Sequence, residues 1–331
     1  MSFTSSTQFR YWMFEPEKLR ELNTYINKVT KERLHSICSA ASGTSYNTTK
    51  SHNHTLTIEE EKYVLNSRIV QIKGICDTMG YPPHVYATAA VFFKRLLLIH
   101  STLEFDLLKV ALTCIYMSCK VEDVQNKLCV FLDRIERNFR IGVKPHEILK
   151  MELILLEKLQ FQIMVHHPFK ALCNFIDDAD FASSLRKNSV GDVYLESVSV
   201  FFQSLLTDSC FLFSPDLVAL ACLYYCNVED KPIIQRYILI QMGYQCDVEV
   251  INAINTIGSM LQKSQMDTVE VARIEYDYNN LRSVFKVHQE QIDFERKEVF
   301  DRLEQERRAK KTNIRHLKEK EDLIRLFYDN N

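Results

Sequence analysis

Two short stretches of this chain occur twice, in the same order. Residues 91–97 read Val-Phe-Phe-Lys-Arg-Leu-Leu and residues 200–206 read Val-Phe-Phe-Gln-Ser-Leu-Leu, identical at five of seven positions across an offset of 109. Residues 110–116 read Val-Ala-Leu-Thr-Cys-Ile-Tyr and residues 218–224 read Val-Ala-Leu-Ala-Cys-Leu-Tyr, again five of seven, at an offset of 108. One such match is unremarkable in a leucine-rich chain. Two matches in order at nearly one spacing imply two copies of one structural unit. That unit must be helical, because only 7 Gly and 7 Pro occur in 331 residues and sheets with many tight turns need both. The expected fold is all-α, with two tandem five-helix repeats and additional helices before and after them.

Capping and periodicity place the helices. In the first repeat, Thr57-Ile58-Glu59-Glu60 is a capping box that opens a helix running to about Met79. Pro82 and Pro83 suit the start of a second helix, about 83–100. A third, about 105–120, is apolar nearly all round and is expected to be central. A short fourth lies near 129–138. Pro145 starts the fifth, where Ile148, Met151, Leu155, Leu159 and Gln162 recur at close to helical spacing. Pro168 breaks the chain, and helices near 168–178, 190–209, 215–227, 231–242 and 247–263 make the second set of five. Before the repeats, residues 15–37 form an amphipathic helix (Leu19, Leu22, Ile26, Val29, Leu34), preceded by Phe9, Tyr11, Trp12 and Phe14. Residues 38–55 are rich in Ser, Thr and Asn and read as a mobile loop. The expected segments are therefore 1–56, 57–164, 165–265 and 266–331. The last carries Val269, Ile274, Tyr278, Leu281 and Phe285 at helical spacing, then a mixed-charge run with 11 basic and 10 acidic residues in 290–325. Packing is expected up to about Val287, with a solvated helix beyond.

Several chemistries are excluded on sequence alone. No two glycines lie within five residues of each other, so neither a G-x-G-x-x-G turn nor a phosphate-binding P-loop can be written. No catalytic nucleophile signature, cofactor site or metal site emerges. A net charge of −2 argues against direct nucleic-acid binding over the surface. No apolar run approaches the ~20 residues of a membrane span, and no signal peptide is apparent. Most of the 10 cysteines sit in apolar helical runs, as reduced core residues of an intracellular protein would.

Ionisable residues among apolar neighbours are the informative exceptions, because burying them unpaired is costly. Lys120 ends the third helix, and Glu152 lies in Met151-Glu152-Leu153-Ile154-Leu155-Leu156 on the fifth. They could pair across adjacent helices and offer a donor and an acceptor to a partner's backbone. A helix-end lysine and an exposed glutamate are the plainer alternative. His166-His167-Pro168 reads as a turn between the repeats, and Cys222 and Cys226 as core packing. Arg307-Arg308-Ala309-Lys310-Lys311 reads as a solvated helix face rather than a localisation signal.

Tandem five-helix units with a helix before and after resemble the cyclins. The likeness rests on Phe93-Lys94-Arg95, on Leu112-Thr113-Cys114 with Cys119-Lys120-Val121-Glu122-Asp123, and on Met151-Glu152-Leu153 through Leu159-Gln160-Phe161. Ser5-Ser6 with Arg10, Trp12 and Phe14, the Val165-His166-His167-Pro168-Phe169 junction and Leu206-Thr207-Asp208 to Pro215 point to one branch of that family. In that branch the cyclin joins a cyclin-dependent kinase and a RING-finger assembly subunit to form the CDK-activating kinase. The assembly works inside general transcription factor IIH, in the nucleus. The likeness covers about 5–265. It implies a non-catalytic regulatory subunit, with Lys120 and Glu152 as the family's kinase-binding pair and Val121, Leu156, Phe161 and Ile163 as apolar contacts. Factors similar to transcription factor IIB also carry two such repeats, but they have a zinc ribbon and basic repeats. This chain has no Cys-x-x-Cys and is slightly acidic.

Overall fold

The computed structural model describes residues 3–41, 55–178, 190–226, 248–263 and 268–286, with scattered positions between 232 and 238. Among these residues all regular structure is helical. A short helix absent from the sequence reading, α1 (Thr7–Trp12), opens the chain after a turn at Phe3–Ser5. Its cap is Ser6, whose hydroxyl accepts from the Phe9 N–H at 3.2 Å. Helix α2 (Pro16–Ala41) follows and runs four residues into the segment expected to be a loop. The rest of that segment, 42–54, lies outside the described residues.

The first repeat comprises α3 (Ile58–Met79), α4 (Pro83–Ile99), α5 (Leu107–Val121), α6 (Leu128–Phe139) and α7 (Pro145–Lys158). The expected capping box is present, with Glu60 N–H donating to Thr57 Oγ1 at 3.2 Å and Thr57 N–H to Glu60 Oε2 at 2.9 Å. Helix α5 starts two residues later than expected because Asp106 caps it, accepting from the Lys109 N–H at 3.3 Å. The burial of α5 matches its reading as a central helix, but α4 is buried just as completely from Val85 to Ile99. Helices α2, α3 and α5 surround it, and the second repeat covers its remaining side.

The second repeat comprises α8 (Phe169–Ile176), α9 (Val190–Ser204), the single turn α10 (Ser209–Leu212), α11 (Pro215–Tyr225) and α12 (Val248–Lys263). Its fourth helix, expected at 231–242, falls largely outside the described residues. The packing plan of the first repeat recurs: α4 on α5 is matched by α9 on α11, and α5 on α7 by α11 on α12. Likewise α3 packs on α4 and α5 as α8 packs on α9 and α11. The helix expected over 190–209 instead breaks after Ser204. There Lys94 of α4 donates to the carbonyls of Leu205 (3.2 Å) and Thr207, which competes with helical bonding. The Thr207 and Ser209 hydroxyls close the turn by donating to Ser204 O at 2.7 and 3.0 Å. Cys222 and Cys226 are buried in the core, as expected.

Helix α13 (Thr268–Lys286) returns to the first repeat and packs on α3 and α2. Ile274, Tyr278, Leu281 and Phe285 are buried, as their spacing predicts. The Tyr278 hydroxyl donates to Thr102 O at 3.2 Å, and Arg273 reaches Glu60 at 3.2 Å. The charged run beyond, with Arg307 to Lys311, lies outside the described residues.

Candidate functional site

The site is built where α5 and α7 pack side by side. Two ion pairs tie these helices: Lys109 with Glu147, and Lys120 Nζ with Glu152 Oε1 at 2.5 Å. Glu147 is held below the usual carboxylate range by the Lys109 hydrogen bond, with the Lys144 N–H adding to it. The second pair is the one singled out in sequence, but it is not buried as its apolar neighbours suggested. The Lys120 side chain is 44% exposed and that of Glu152 is 13% exposed. Lys120 sits in the last turn of α5 and lies over the Tyr116 ring, with Nζ 4.3 Å from its centroid. The ammonium thus rests against both the Tyr116 ring and the Glu152 carboxylate while the side chain stays half-exposed.

Both helices end in left-handed residues other than glycine. After α5, Asp123 has φ 55° and the Val124 N–H returns to Cys119 O at 2.8 Å. After α7, the Phe161 N–H donates to Leu156 O at 3.0 Å and the Gln160 N–H to Glu157 O at 2.9 Å. This is the Schellman arrangement that normally uses glycine. Here Gln160 and Phe161 both adopt positive φ, at 53° and 56°. Such backbone costs about 1 kcal/mol or more per residue and concentrates at functional sites. It holds Phe161 out to solvent, with the residue 72% exposed.

The structure places the other expected residues around the pair with graded burial. Val121, Leu156 and Ile163 are half-buried and rest on the core, leaving part of each apolar surface open. Sequence reasoning missed Leu149, Leu153 and Met164, exposed at 45%, 70% and 60%. For the first two a signal was present. They fall off the Ile148, Met151, Leu155, Leu159 stripe and, with Glu152 and Leu156, form a second stripe at helical spacing. The result is a shallow apolar face with one largely buried carboxylate and one half-exposed ammonium. Such a face can grip an amphipathic helix and hydrogen-bond its backbone.

The junction histidines have separate work. The His166 backbone is held by the Gln8 side chain, whose Oε1 accepts from His166 N–H at 2.6 Å. The His167 ring lies against Phe169 and Phe201, at 5.8 and 6.2 Å between centroids.

Residues 44–164 match the cyclin N-terminal domain, and residues 167–263 match the cyclin C-terminal domain. The chain is similar to the cyclin-H of Dictyostelium discoideum, 29% identical over 231 residues that cover 67% of this chain and 75% of that one. Its fold resembles a chain of the CAK complex from Chaetomium thermophilum bound to ATP-γ-S, with a TM-score of 0.67 and 23% identity over 91% of this chain and 88% of that one. It also resembles a chain of the yeast TFIIK (Kin28/Ccl1/Tfb3) complex, with a TM-score of 0.61 and 23% identity over 78% of this chain and 100% of that one. The two matched domains and the doubled packing plan agree, and the chain belongs to the cyclin family.

Proposed function

We infer that this cyclin is a cyclin H-like regulatory subunit that binds and activates a cyclin-dependent kinase. It acts within a CDK-activating kinase and general transcription factor IIH, in the nucleus, with a RING-finger protein as assembly subunit. The chain itself catalyses nothing. Support for the assembly comes from the cyclin-H relative and from neighbours that are chains of CAK and TFIIK complexes. None of these similarities favours a promoter-binding factor.

The observation that carries the reading is the outward-facing Lys120–Glu152 pair, set at 2.5 Å between Val121, Leu156, Phe161 and Ile163. A protein kinase is active only when its C-helix glutamate stands beside the nucleotide-binding lysine. A rigid surface that binds the helix in that position alone shifts the kinase population toward it. A shift from 1:99 to 99:1 requires about 5.5 kcal/mol of differential binding. A packed helix pair, clamped by two ion pairs, has the stiffness for this.

The test compares Glu152→Ala with Glu157→Ala on the same helix, where Glu157 is exposed and pairs with its neighbour Lys158. Glu147 is the weaker control because it caps α7 and binds Lys109. Glu152→Ala should weaken kinase binding by at least ~2 kcal/mol, since kinase docking would bury an unpaired Lys120. Glu157→Ala should bind as the parent chain does. Equal binding by both variants would refute the assignment.

A further inference from the structure

Behind the docking face, one buried hydroxyl joins three parts of the molecule. Thr88 lies in α4 and is fully buried. Its Oγ1 is 2.5 Å from Glu122 Oε1 and 2.7 Å from His167 Nε2. Glu122 is the C-cap of α5, one residue past Val121 and two past Lys120. His167 belongs to the segment joining the repeats, and its ring packs on Phe169 and Phe201 of the second repeat.

The direction of each hydrogen bond follows from the groups. A carboxylate only accepts, so the single Thr88 proton goes to Glu122. The Thr88 oxygen must then accept from His167, which places the ring proton on Nε2. Burial, with Arg95 next, pushes the His167 pKa down to about 3, so the ring is neutral and carries one N–H. His167 thus fixes the direction of the hydroxyl, and the hydroxyl fixes the carboxylate.

The anchored cap sits where anchoring matters. Asp123, the next residue, is in the left-handed region at φ 55°, and a strained turn at a helix end opens readily unless its surroundings hold it. We propose that Thr88 is a positioning residue for the docking face. Oriented by His167, it holds Glu122 and hence the last turn of α5 that presents the Lys120 ammonium. The inter-repeat junction thereby sets the geometry of a surface built from the first repeat. This inference rests on the kinase-docking reading above.

The experiment titrates full-length variants against the cyclin-dependent kinase, with thermal melting of each variant alone. Thr88→Val keeps the shape and loses the hydroxyl, and it should weaken kinase binding about tenfold. Thr88→Ser keeps the hydroxyl and should bind within about twofold of the parent. In a chain already carrying Lys120→Ala, adding Thr88→Val should cost at most about twofold, because no ammonium remains to be positioned. A merely structural threonine would give the full loss in both backgrounds. If Thr88→Val melts too low to assay, His167→Phe keeps an aromatic ring without the N–H and should weaken binding in the same direction. Parent-like binding by Thr88→Val, or by His167→Phe in its place, overturns the proposal. So does a full additive loss on the Lys120→Ala background. Parent-like binding by Lys120→Ala overturns the docking reading itself, and the inference with it.

Discussion

The two repeats share a packing plan and differ in what they bury. Among the described residues, the first encloses Glu60, Lys94, Arg95, His100 and Glu104, whereas the buried polar side chains of the second are the hydroxyls of Ser197, Ser204, Thr207 and Ser209. The internal repeat shows where the difference was written. Val-Phe-Phe and Leu-Leu are common to both copies, but Lys94-Arg95 of the first stand where the second has Gln203-Ser204. Lys94 crosses to the second repeat's turn at 205–207. Arg95 donates to Gln162 O at 2.9 Å and stacks on Trp12 of α1 at 4.8 Å. At the end of the third helix, an offset of 108 sets Val228 against Lys120. The shared apolar positions build the unit, and the unshared charged ones join the repeats and mark the proposed docking face. The first repeat is therefore a hub that needs partners on several sides.

The largest test removes one of those partners. Deleting 266–331 takes away α13 and exposes the faces of α3 and α2 that it covers. Uncovering a face that buries four large side chains, at ~1.5–3 kcal/mol each, should lower stability by about 5 kcal/mol or more. A chain ending at Glu290 should melt and bind kinase like the full one. Urea unfolding of both truncations decides this. If the shorter chain unfolds no earlier, the first repeat is not a hub of this kind.

Next in size is the seam. Lys94→Met leaves the Leu205 and Thr207 carbonyls without their charged donor and removes one of two cations facing Asp208. Burial works against the Asp208 charge, but Lys94 and then Lys62 hold its carboxyl below the usual range. The substitution should cost about 3 kcal/mol, the range for breaking a buried charged contact. Gln203→Met at the equivalent, exposed position of the second repeat should stay within about 0.5 kcal/mol. Similar losses at both positions would mean the copies are energetically alike, contrary to the difference in what they bury.

How legible these features were depended on how local their causes are. The start of α3 follows from Thr57 and Glu60 three residues apart, and the start of α7 from Pro145, so both were readable. Helix α1 is six residues long, too short for periodicity to register. The break after Ser204 has its cause in Lys94, far away in sequence, and no local window contains it. Lys120 and Glu152 were identifiable as exceptions, but their exposure was not. An apolar neighbourhood in sequence does not say which side of the helix faces solvent. Phe161 was carried by resemblance, and its left-handed backbone could not be read from a residue type that rarely adopts it.

Glycine gives a smaller contrast between the repeats. A Cβ on Gly258 in α12 would run into the Tyr225 ring at the end of α11, so the ring lies where glycine leaves room. On Gly74, in α3 of the first repeat, a Cβ would meet nothing within 4 Å. Gly258→Ala should therefore destabilise by about 2 kcal/mol as the ring is displaced. Gly74→Ala should stabilise by about 0.5–1 kcal/mol through helix propensity. Equal signs in denaturant titrations would show that the Tyr225 ring moves aside at little cost.

The smallest expected effect concerns Glu61, a carboxyl partly buried between α3 and α2. Burial raises its pKa to about 7, against the Asn27 hydrogen bond and the charge of Lys31, which lower it. Asn27 Nδ2 donates to Glu61 Oε2 at 3.1 Å. Because the folded value lies above the unfolded one of 4.5, the folded chain binds this proton more tightly. The contribution is therefore neutral below the unfolded pKa. It becomes increasingly unfavourable as pH rises toward 7, and it is constant beyond. Glu61→Gln keeps an acceptor for Asn27 and removes the charge. Relative to the parent, it should be nearly equal in stability at pH 4 and more stable by about 1 kcal/mol at pH 8, since water reaching the carboxyl moderates the full shift. The hub reading predicts this gain because the first repeat tolerates a charge under its N-terminal cover. A variant that gains nothing between pH 4 and pH 8 would show that α2 leaves Glu61 in water.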